Sequence, residues 1–491
     1  MEKNSYSHIL KYTGLFGGVQ GLNILVGILR NKLVAVILGP DGMGLVSLFN
    51  STINLVGNAT NLGISTSGVK NISEAFEQGD QERLEQSIAM VRTWVMLTAV
   101  LGTVVCALLS PFFHHFTFTW GDHSLHFLLL SPVVGLLTLT GGELAVLKGT
   151  RELRRLAVVS FYGAVATLII SVPIYYFFNQ SGIVPSLILT ALAQMLLTIA
   201  FSYKLHPLKF IRQRKVLGQG MSMVRLGVAF VLAGVFGSLA ELVIRSYLNV
   251  TASLDMVGFY NAGYMMTMMY AGVVFSAMET DFYPRLSAVN TDTEACNLTI
   301  NRQIEVSLLL VSPLLVAFMI GMPVLLPMLY SKSFLPVLGM VQITIFAIYF
   351  RAVKLPVAYL PLAKGDSFSF LLLETIYFVI LVILVVWGFR TYGLTGAGIA
   401  ITVTGVLEWL WIWGYCMLKY KYRPTLPIFK YMLMQLAVGV LAFVVTQQTD
   451  GWVYWLSGTA LFVVSLAISL SILHSKTSLW KKLRQKLRFD N

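Results

Sequence analysis

Uninterrupted apolar blocks of about twenty residues run through nearly the whole of this chain. A helix rises about 1.5 Å per residue, so a block of this length crosses the roughly 30 Å hydrocarbon core of a bilayer. Hydrophobic residues make up 56% of the 491 residues and charged residues only 12%, about half of their usual share in soluble domains. We therefore predict an all-α integral membrane protein whose function lies within the membrane.

The blocks predict about fourteen transmembrane helices. The longest polar interval, 73–86, has the length of a loop, so no separate soluble domain is expected. The first apolar run has no small-residue cleavage site, and we interpret it as a retained helix. The predicted spans are 9–37, 43–69, 88–109, 124–147, 156–178, 183–203, 219–248, 256–284, 303–329, 336–363, 368–388, 393–418, 428–447 and 452–474.

Lysine and arginine residues are concentrated in every second loop and at both ends of the chain. Only Lys332 and Arg390 lie in the intervening loops. Cytoplasmic loops carry the excess of basic residues in membrane proteins, so both termini of this multi-pass protein are predicted to be cytoplasmic. The same asymmetry explains the net charge of +13 without a nucleic-acid partner.

The chain contains two similar halves, offset by about 214 residues. Six helices separate the copies, so the repeats are parallel and enter the membrane from the same face. We predict an N-terminal lobe at 1–215, a C-terminal lobe at 216–424, and a helix pair with a basic cytoplasmic tail at 425–491. The matched positions include Arg30 with Arg245, Asp41 with Asp255, and Gly44 with Gly258.

Among the basic residues inside the predicted spans, five are candidates for a substrate site: Arg30, Lys32, Arg245, Arg351 and Lys354. Arg30 and Arg245 each lie about 13 to 15 Å below the outer turn that follows them, at 1.5 Å per residue. Charges at this depth need a partner, water or a ligand, and guanidinium groups bind phosphate through paired hydrogen bonds. These positions predict a cationic cavity for an anionic substrate.

Internal ion pairing is the alternative explanation for these charges. Glu241 lies four residues before Arg245, the spacing of neighbours on one helix face. Glu143, Glu374 and Glu408 are also predicted to lie within the membrane. Arg30 has no acidic residue on its own helix.

Polar and aromatic side chains on two other spans suggest contacts with sugars. Four asparagines, spaced by four, four and three residues, share one helix face, where they would bind sugar hydroxyls or link helices through hydrogen bonds. Two tyrosines in the repeat-related region would stack on sugar rings or pack against neighbouring helices. These residues are Asn50, Asn54, Asn58 and Asn61, with Tyr260 and Tyr264.

No enzyme, cofactor or metal site is predicted. The three cysteines, Cys106, Cys296 and Cys416, are far apart and fit packing positions. No nucleophile motif or phosphate-binding loop is present. Histidines gather in one outer loop without a fixed ligand spacing, at His114, His115, His123 and His126.

The segment LVAVILGPDGMGLVSLFNSTINLVG, continuing to GVKNISEAFEQGD, resembles the opening of Wzx-type O-antigen flippases of the multidrug/oligosaccharidyl-lipid/polysaccharide exporter superfamily. Further similarities are AVLKGTRE, VGFYNAGYMM, FYPRLSAVN and YGLTGAGIA. The resemblance implies a V-shaped pair of six-helix lobes around a cationic cavity, with Arg30 and Arg245 facing it. It also implies a location in the bacterial inner membrane. The substrate implied is an undecaprenyl-pyrophosphate-linked oligosaccharide, moved from the cytoplasmic to the periplasmic leaflet by alternating access. The implied partners are membrane lipids and polysaccharide polymerase and chain-length proteins.

Two other functions fit a polytopic chain. A cation-coupled multidrug exporter of the same superfamily would need acidic residues in its cavity, whereas the first span carries Arg30 and Lys32. A membrane glycosyltransferase or polysaccharide polymerase would need catalytic acids or a large outer loop, and the longest outer loop, 110–123, is short. A basic amphipathic helix is also predicted at 479–488, on the inner leaflet.

Overall fold

The computed structural model of the chain describes residues 2–207, 213–270, 275, 282, 283, 285–448 and 451–477. These residues form α-helices, short 3₁₀ turns and one π-helical segment, and no strand occurs among them. Ten stretches of helix are long and apolar enough to cross a membrane. The prediction of an all-α membrane protein is confirmed, while the basic run predicted at 479–488 lies outside the described residues.

The helices follow the predicted spans closely. We number them in chain order: α1 Glu2–Thr60, α2 Ile64–Glu77, α3 Gln81–Leu108, α4 Ser110–Thr117, α5 Ser124–Gly149, α6 Leu153–Phe178, α7 Ile183–Tyr203, α8 Gln213–Thr251, α9 Leu254–Tyr264, α10 Thr293–Leu329, α11 Leu338–Ala363, α12 Ser367–Tyr420, α13 Leu426–Gln448 and α14 Gly451–Thr477.

Two of these helices each contain two predicted spans joined at a sharp kink. In α1 the backbone turns at Gly39, with φ 66°, immediately before Pro40. In α12 it turns at Tyr392 and Gly393, where Gly393 has φ 59°. Both glycines have a left-handed conformation that L side chains rarely adopt, so glycine allows a reversal without a separate loop.

The structure departs from the prediction in the second span, 43–69. The helix ends at Thr60 and begins again at Ile64, because Leu62 and Gly63 are left-handed, with φ 52° and 70°. The Asn61 carbonyl accepts a hydrogen bond from the Ile64 amide across this break, at 3.1 Å. The segment around the break, GNATNLGISTSG, is rich in small and polar residues, and the predicted span was drawn across it. The segment between α3 and α5 also contains α4, a short helix that was not predicted.

The chain divides into two compact units. Unit 1 comprises Met1–Gly258 with Leu329–Ser331, and unit 2 comprises Phe259–Met328 with Lys332–Asn491. The lobe boundaries at 215 and 424 follow the sequence repeat and stay a prediction.

In unit 1, α8 packs antiparallel to the second half of α1. Arg245 lies opposite Ser51, and Ser238 lies opposite Asn58, which fixes the register of the two helices. Helices α3, α5 and α7 pack in succession, and α6 lies against α1. A buried apolar cluster around Ile64, Ile72 and Val91 holds α2 against α3.

In unit 2, α11 packs along α12, and the helix pair α13–α14 contacts α11. Within the pair, the buried Gln435 amide donates to Ser469 Oγ at 2.8 Å and accepts from Ser465 Oγ at 2.7 Å. The pair is attached to α10 at two levels. The Tyr454 hydroxyl donates to the Ile320 carbonyl at 2.7 Å, and Lys476 forms an ion pair with Glu305.

Candidate functional site

Arg30 is a half-buried arginine within α1, nine residues before the kink at Gly39. Its Nε donates a hydrogen bond of 3.1 Å to Oγ of Ser171, a buried residue of α6. Arg30 forms no ion pair with any residue that the structure describes. Ser171 is neutral, so among the described residues the guanidinium of Arg30 has a hydrogen-bond partner but no opposite charge.

Lys32 is also half-buried in α1. Residues two positions apart in a helix do not share a face, so Lys32 does not point in the same direction as Arg30. The two adjacent cations predicted for the first span are therefore separated around the helix.

Arg245 differs from Arg30 in its surroundings. Its side chain is only 8% exposed and forms an ion pair with Glu241, with an Nη1 to Oε2 distance of 2.9 Å. The same nitrogen donates to Ser51 Oγ on α1. This ion pair confirms the pairing that the spacing of four residues indicated. The two repeat-related arginines thus have different charge environments, and both lie in unit 1.

Three of the four asparagines line one cavity of about 140 Å³ in unit 1. Asn54, Asn58 and Asn61 share its wall with Ser65 and Thr138. Asn50 is half-buried on the same helix but does not line this cavity.

Two of the carboxamides are oriented by neighbouring hydroxyl groups. Asn58 Nδ2 donates to Ser238 Oγ on α8 at 2.7 Å, and Asn61 Nδ2 donates to Ser65 Oγ at 3.2 Å. Ser65 lies just beyond the break that follows Thr60, so the break places a hydroxyl at the end of the asparagine row. The cavity wall therefore offers both donors and acceptors.

Arg351 and Lys354, the candidate basic residues of unit 2, lie in a cluster with two acidic residues. Lys354 forms an ion pair with Glu408, and these side chains are 12% and 5% exposed. Arg351 Nη1 donates to the Met268 carbonyl at 3.5 Å, and its guanidinium lies 5.5 Å from the centre of the Phe275 ring. Glu374 interacts electrostatically with both cations. Two positive and two negative groups thus come together.

Tyr260 and Tyr264 stack on each other, with ring centres 6.1 Å apart and an angle of 21° between the rings. Tyr260 is buried and Tyr264 half-buried. Tyr260 therefore packs against its neighbours, whereas the ring of Tyr264 is partly accessible.

A polar cluster around Arg92, which was not predicted, joins α3, α5 and α7 in unit 1. Arg92 binds Glu143 through two hydrogen bonds of 2.9 and 3.0 Å, and Ser202 Oγ donates to the same carboxylate at 2.6 Å. Arg92 Nη1 also donates to the His206 carbonyl at 2.8 Å, and the Arg92 guanidinium lies 4.3 Å from the Tyr203 ring centre. These residues border a cavity of about 360 Å³. No sequence motif marked this cluster, because its members lie on three helices.

The outer-loop histidines form a contact cluster. His123 Nδ1 lies 3.1 Å from His126 Nδ1, and the His123 ring stacks on Phe118. Burial, followed by the nearby His126 and His114, lowers the pKa of His123 to about 4. In the part of the chain that the structure describes, no three acidic, histidine or cysteine side chains are arranged to hold a metal ion.

Comparison with known proteins identifies the family. A sequence model described as "Polysaccharide biosynthesis protein" matches residues 9–290. None of the curated proteins with which the chain was compared is significantly similar in sequence.

Several solved membrane transporters share the fold. An inward-facing multidrug resistance MATE transporter of the MOP superfamily has a TM-score of 0.67 at 17% identity, covering 81% of this chain and 96% of its own. The lipid II flippase MurJ, in an inward closed conformation, has a TM-score of 0.64 at 15% identity, covering 94% and 99%. A MOP superfamily transporter from Pyrococcus furiosus, described as having a binding pocket of reverse polarity, has a TM-score of 0.58 at 15% identity, covering 82% and 95%. At these identities the likeness establishes the fold.

Proposed function

We propose that this chain, which belongs to the polysaccharide biosynthesis protein family, is a lipid-linked oligosaccharide flippase. The solved structures that share its fold are transporters and flippases and not enzymes. The substrate is an undecaprenyl-pyrophosphate-linked repeat unit of an O-antigen-like surface polysaccharide. It moves from the cytoplasmic to the periplasmic leaflet of the bacterial inner membrane by alternating access. Both termini are cytoplasmic, as the loop charges indicate.

The observation that carries this proposal is that Arg30 has no acidic partner in the part of the chain that the structure describes. A charge in the membrane interior costs between about 2.5 and 17 kcal/mol, depending on its surroundings. Ser171 provides one hydrogen bond but no negative charge. A pyrophosphate group provides both, through two parallel hydrogen bonds to the guanidinium. Arg30 is therefore assigned the main contact with the pyrophosphate.

Arg245 has a second role in this scheme, because Glu241 already compensates its charge. The Glu241 side chain is 40% exposed, so it is free to rotate towards water when a phosphate oxygen replaces it. Ser51 keeps the guanidinium in position meanwhile. We expect Arg245 to contribute less to substrate binding than Arg30.

The carboxamide cavity suits a sugar. Asn54, Asn58 and Asn61 supply donors and acceptors on one wall, and sugar hydroxyls both donate and accept hydrogen bonds. A volume of about 140 Å³ accommodates part of one sugar ring and not a whole repeat unit. Asn50 lies about one helical turn further along the same face.

In unit 2, Arg351, Lys354 and Tyr264 are assigned secondary contacts with the substrate. The carboxylates beside the two cations remove the net charge that would attract a pyrophosphate. Tyr260 is buried against Tyr264 and supports its ring. Lys32, on a different face of α1, is also assigned a secondary role. A polysaccharide polymerase and chain-length proteins are the partners that would receive the flipped product.

The test is complementation of a flippase-deficient strain that carries this protein's own polysaccharide locus, with protein level measured by immunoblot. Arg30→Ala should reduce transport by about 10- to 100-fold, since charge-assisted hydrogen bonds contribute about 1.5 to 3 kcal/mol each. Arg30→Lys retains the charge but not the paired hydrogen bonds, so it should restore only part of the activity. Lys32→Ala, on the same helix, is the matched control and should have a milder effect.

Two outcomes would contradict the assignment. Full complementation by the double variant Arg30→Ala, Arg245→Ala would exclude these arginines as the pyrophosphate site. Export of cationic drugs by the wild-type protein, without complementation of the flippase defect, would favour the multidrug exporter.

A further inference from the structure

Two helix starts in unit 1 touch through their backbones, at the end that the loop charges assign to the outside. They are the residues after the kink in α1 and the first turn of α9. A Cβ atom on Gly44 would lie 2.1 Å from the Leu254 carbonyl oxygen, and one on Gly258 would lie 2.0 Å from the Pro40 carbonyl oxygen. Neither distance leaves room for a methyl group, so only glycine permits this approach.

The contact is reciprocal. Pro40 and Leu254 are related by the repeat offset of about 214 residues, as are Gly44 and Gly258. Gly44 faces Leu254, and its repeat-related counterpart Gly258 faces Pro40, which is the counterpart of Leu254. Contacts of this kind have approximate two-fold symmetry, as in an isologous interface between identical subunits. Two such close approaches at equivalent positions are not expected from incidental helix packing.

The same symmetry brings like charges together. Asp41 and Asp255, which are also related by the repeat, interact electrostatically across the contact. Asp41 is exposed, and Asp255 is half-buried and accepts a hydrogen bond from the Met256 amide at 3.0 Å. Like charges oppose each other, so the contact contains both a close backbone fit and a repulsion.

The position of the contact connects it to the candidate site. From the kink, α1 runs to Arg30 in one direction and to Asn54 in the other. The division between the two compact units falls at Gly258 itself. Separation of the two helix starts would therefore alter access to the helices that carry the site.

We propose that the Gly44–Gly258 contact is the outer gate of the transporter, closed in this structure and separated once in each transport cycle. This inference rests on the proposed flippase function for the identity of the substrate only. The two glycines allow the helix starts to come together in the closed state, and the repulsion between Asp41 and Asp255 favours their separation. A side chain at either glycine should hold the gate open.

Accessibility from outside the cell tests the gate without reference to any substrate. In a background with Cys106, Cys296 and Cys416 replaced by alanine, a cysteine is placed at Asn54 as the reporter. Intact cells are treated with a membrane-impermeant maleimide. Gly44→Ala and Gly258→Ala should each increase the labelling rate several-fold.

Gly27→Ala is the matched control for this experiment. Gly27 lies in the same helix as Gly44, and a Cβ atom there would meet nothing within 4 Å. Its labelling rate should equal that of the parent protein.

A cross-linking experiment tests the same gate in the opposite direction. Asp41→Cys with Asp255→Cys, oxidised to a disulfide, should stop transport, and reduction should restore it. The control pair is Gly458→Cys with Ile320→Cys in unit 2, where a Cβ on Gly458 would lie 2.7 Å from Ile320 Cγ2. Its oxidation should leave transport unchanged.

The outcomes separate the gate from the flippase function. Unchanged labelling in both alanine variants, together with transport by the oxidised Asp41–Asp255 pair, would overturn the gate. Increased labelling without any transfer of lipid-linked oligosaccharide would support the gate and contradict the proposed function. If the alanine variants do not accumulate in the membrane, the cross-linked pair alone decides.

Discussion

The buried ion pair between Arg92 and Glu143 permits a quantitative prediction about stability. The two side chains are 10% and 7% exposed and share two hydrogen bonds. Arg92→Met leaves the Glu143 carboxylate buried with only the Ser202 hydroxyl as a donor. Removal of one partner from a buried pair costs about 3 to 5 kcal/mol.

The exposed pair between Arg151 and Glu77 is the matched control, because it joins the same residue types in the same unit. Its side chains are 60% and 58% exposed. Pairs at the surface contribute about 0 to 1 kcal/mol and are screened by salt. Arg151→Met should therefore have little effect.

The assay is thermal unfolding of the purified protein in detergent, at low and at high salt. A chain of this length should lose at most about 2 °C per kcal/mol, so Arg92→Met should lower the melting temperature by at most about 6 to 10 °C. The double variant Arg92→Met, Glu143→Met should recover most of this loss, because replacement of both charges by apolar side chains is often neutral. Equal effects of Arg92→Met and Arg151→Met would refute the argument from burial.

Three further predictions concern orientation, the tail and pH. A cysteine at Ser181 in a cysteine-free protein should react with an impermeant thiol reagent in intact cells and one at Ser478 should not, whereas the reverse pattern would invert the topology. A truncation after Ser475 should weaken membrane insertion or change the orientation, while the protein that inserts correctly should still transport. If the truncated protein has normal topology but does not transport, the tail has another role. The lowered pKa of His123 means that the unfolded chain binds more protons than the folded protein below about pH 6.5, so the melting temperature should fall as the pH decreases from about 6.5 to 4. In the same thermal assay, His123→Phe should reduce the dependence of the melting temperature on pH. An unchanged pH profile in this variant would contradict the prediction.

The spans were predictable because the requirement for about twenty apolar residues is local. The break after Thr60 was not predicted, because the span was drawn across the small and polar residues of GNATNLGISTSG, and leucine is not a residue type that favours the left-handed conformation of Leu62. Similarly, α4 is an amphipathic eight-residue helix, too short for a hydropathy signal to separate it from a loop.

The candidate site shows the same distinction between local and distant contacts. The pairing of Arg245 with Glu241 follows from a spacing of four residues, and the shared face of the asparagines follows from helical periodicity. The contact between Arg30 and Ser171 joins residues 141 positions apart, and a serine in an apolar helix has nothing to distinguish it. The sequence thus indicated the acidic partner of Arg245, whereas the neutral partner of Arg30 became visible only with the tertiary structure.

The kinks at Gly39 and Gly393 join consecutive helices with no intervening loop. A connection of this kind has no spare residues, so an insertion of even a few amino acids would change the direction or the rotation of the helix that follows. The segment from Leu109 to His123, by contrast, connects its two long helices through a short helix and an irregular stretch. Epitope tags and natural length variation should therefore be tolerated around Gly121 and rejected at the two kinks.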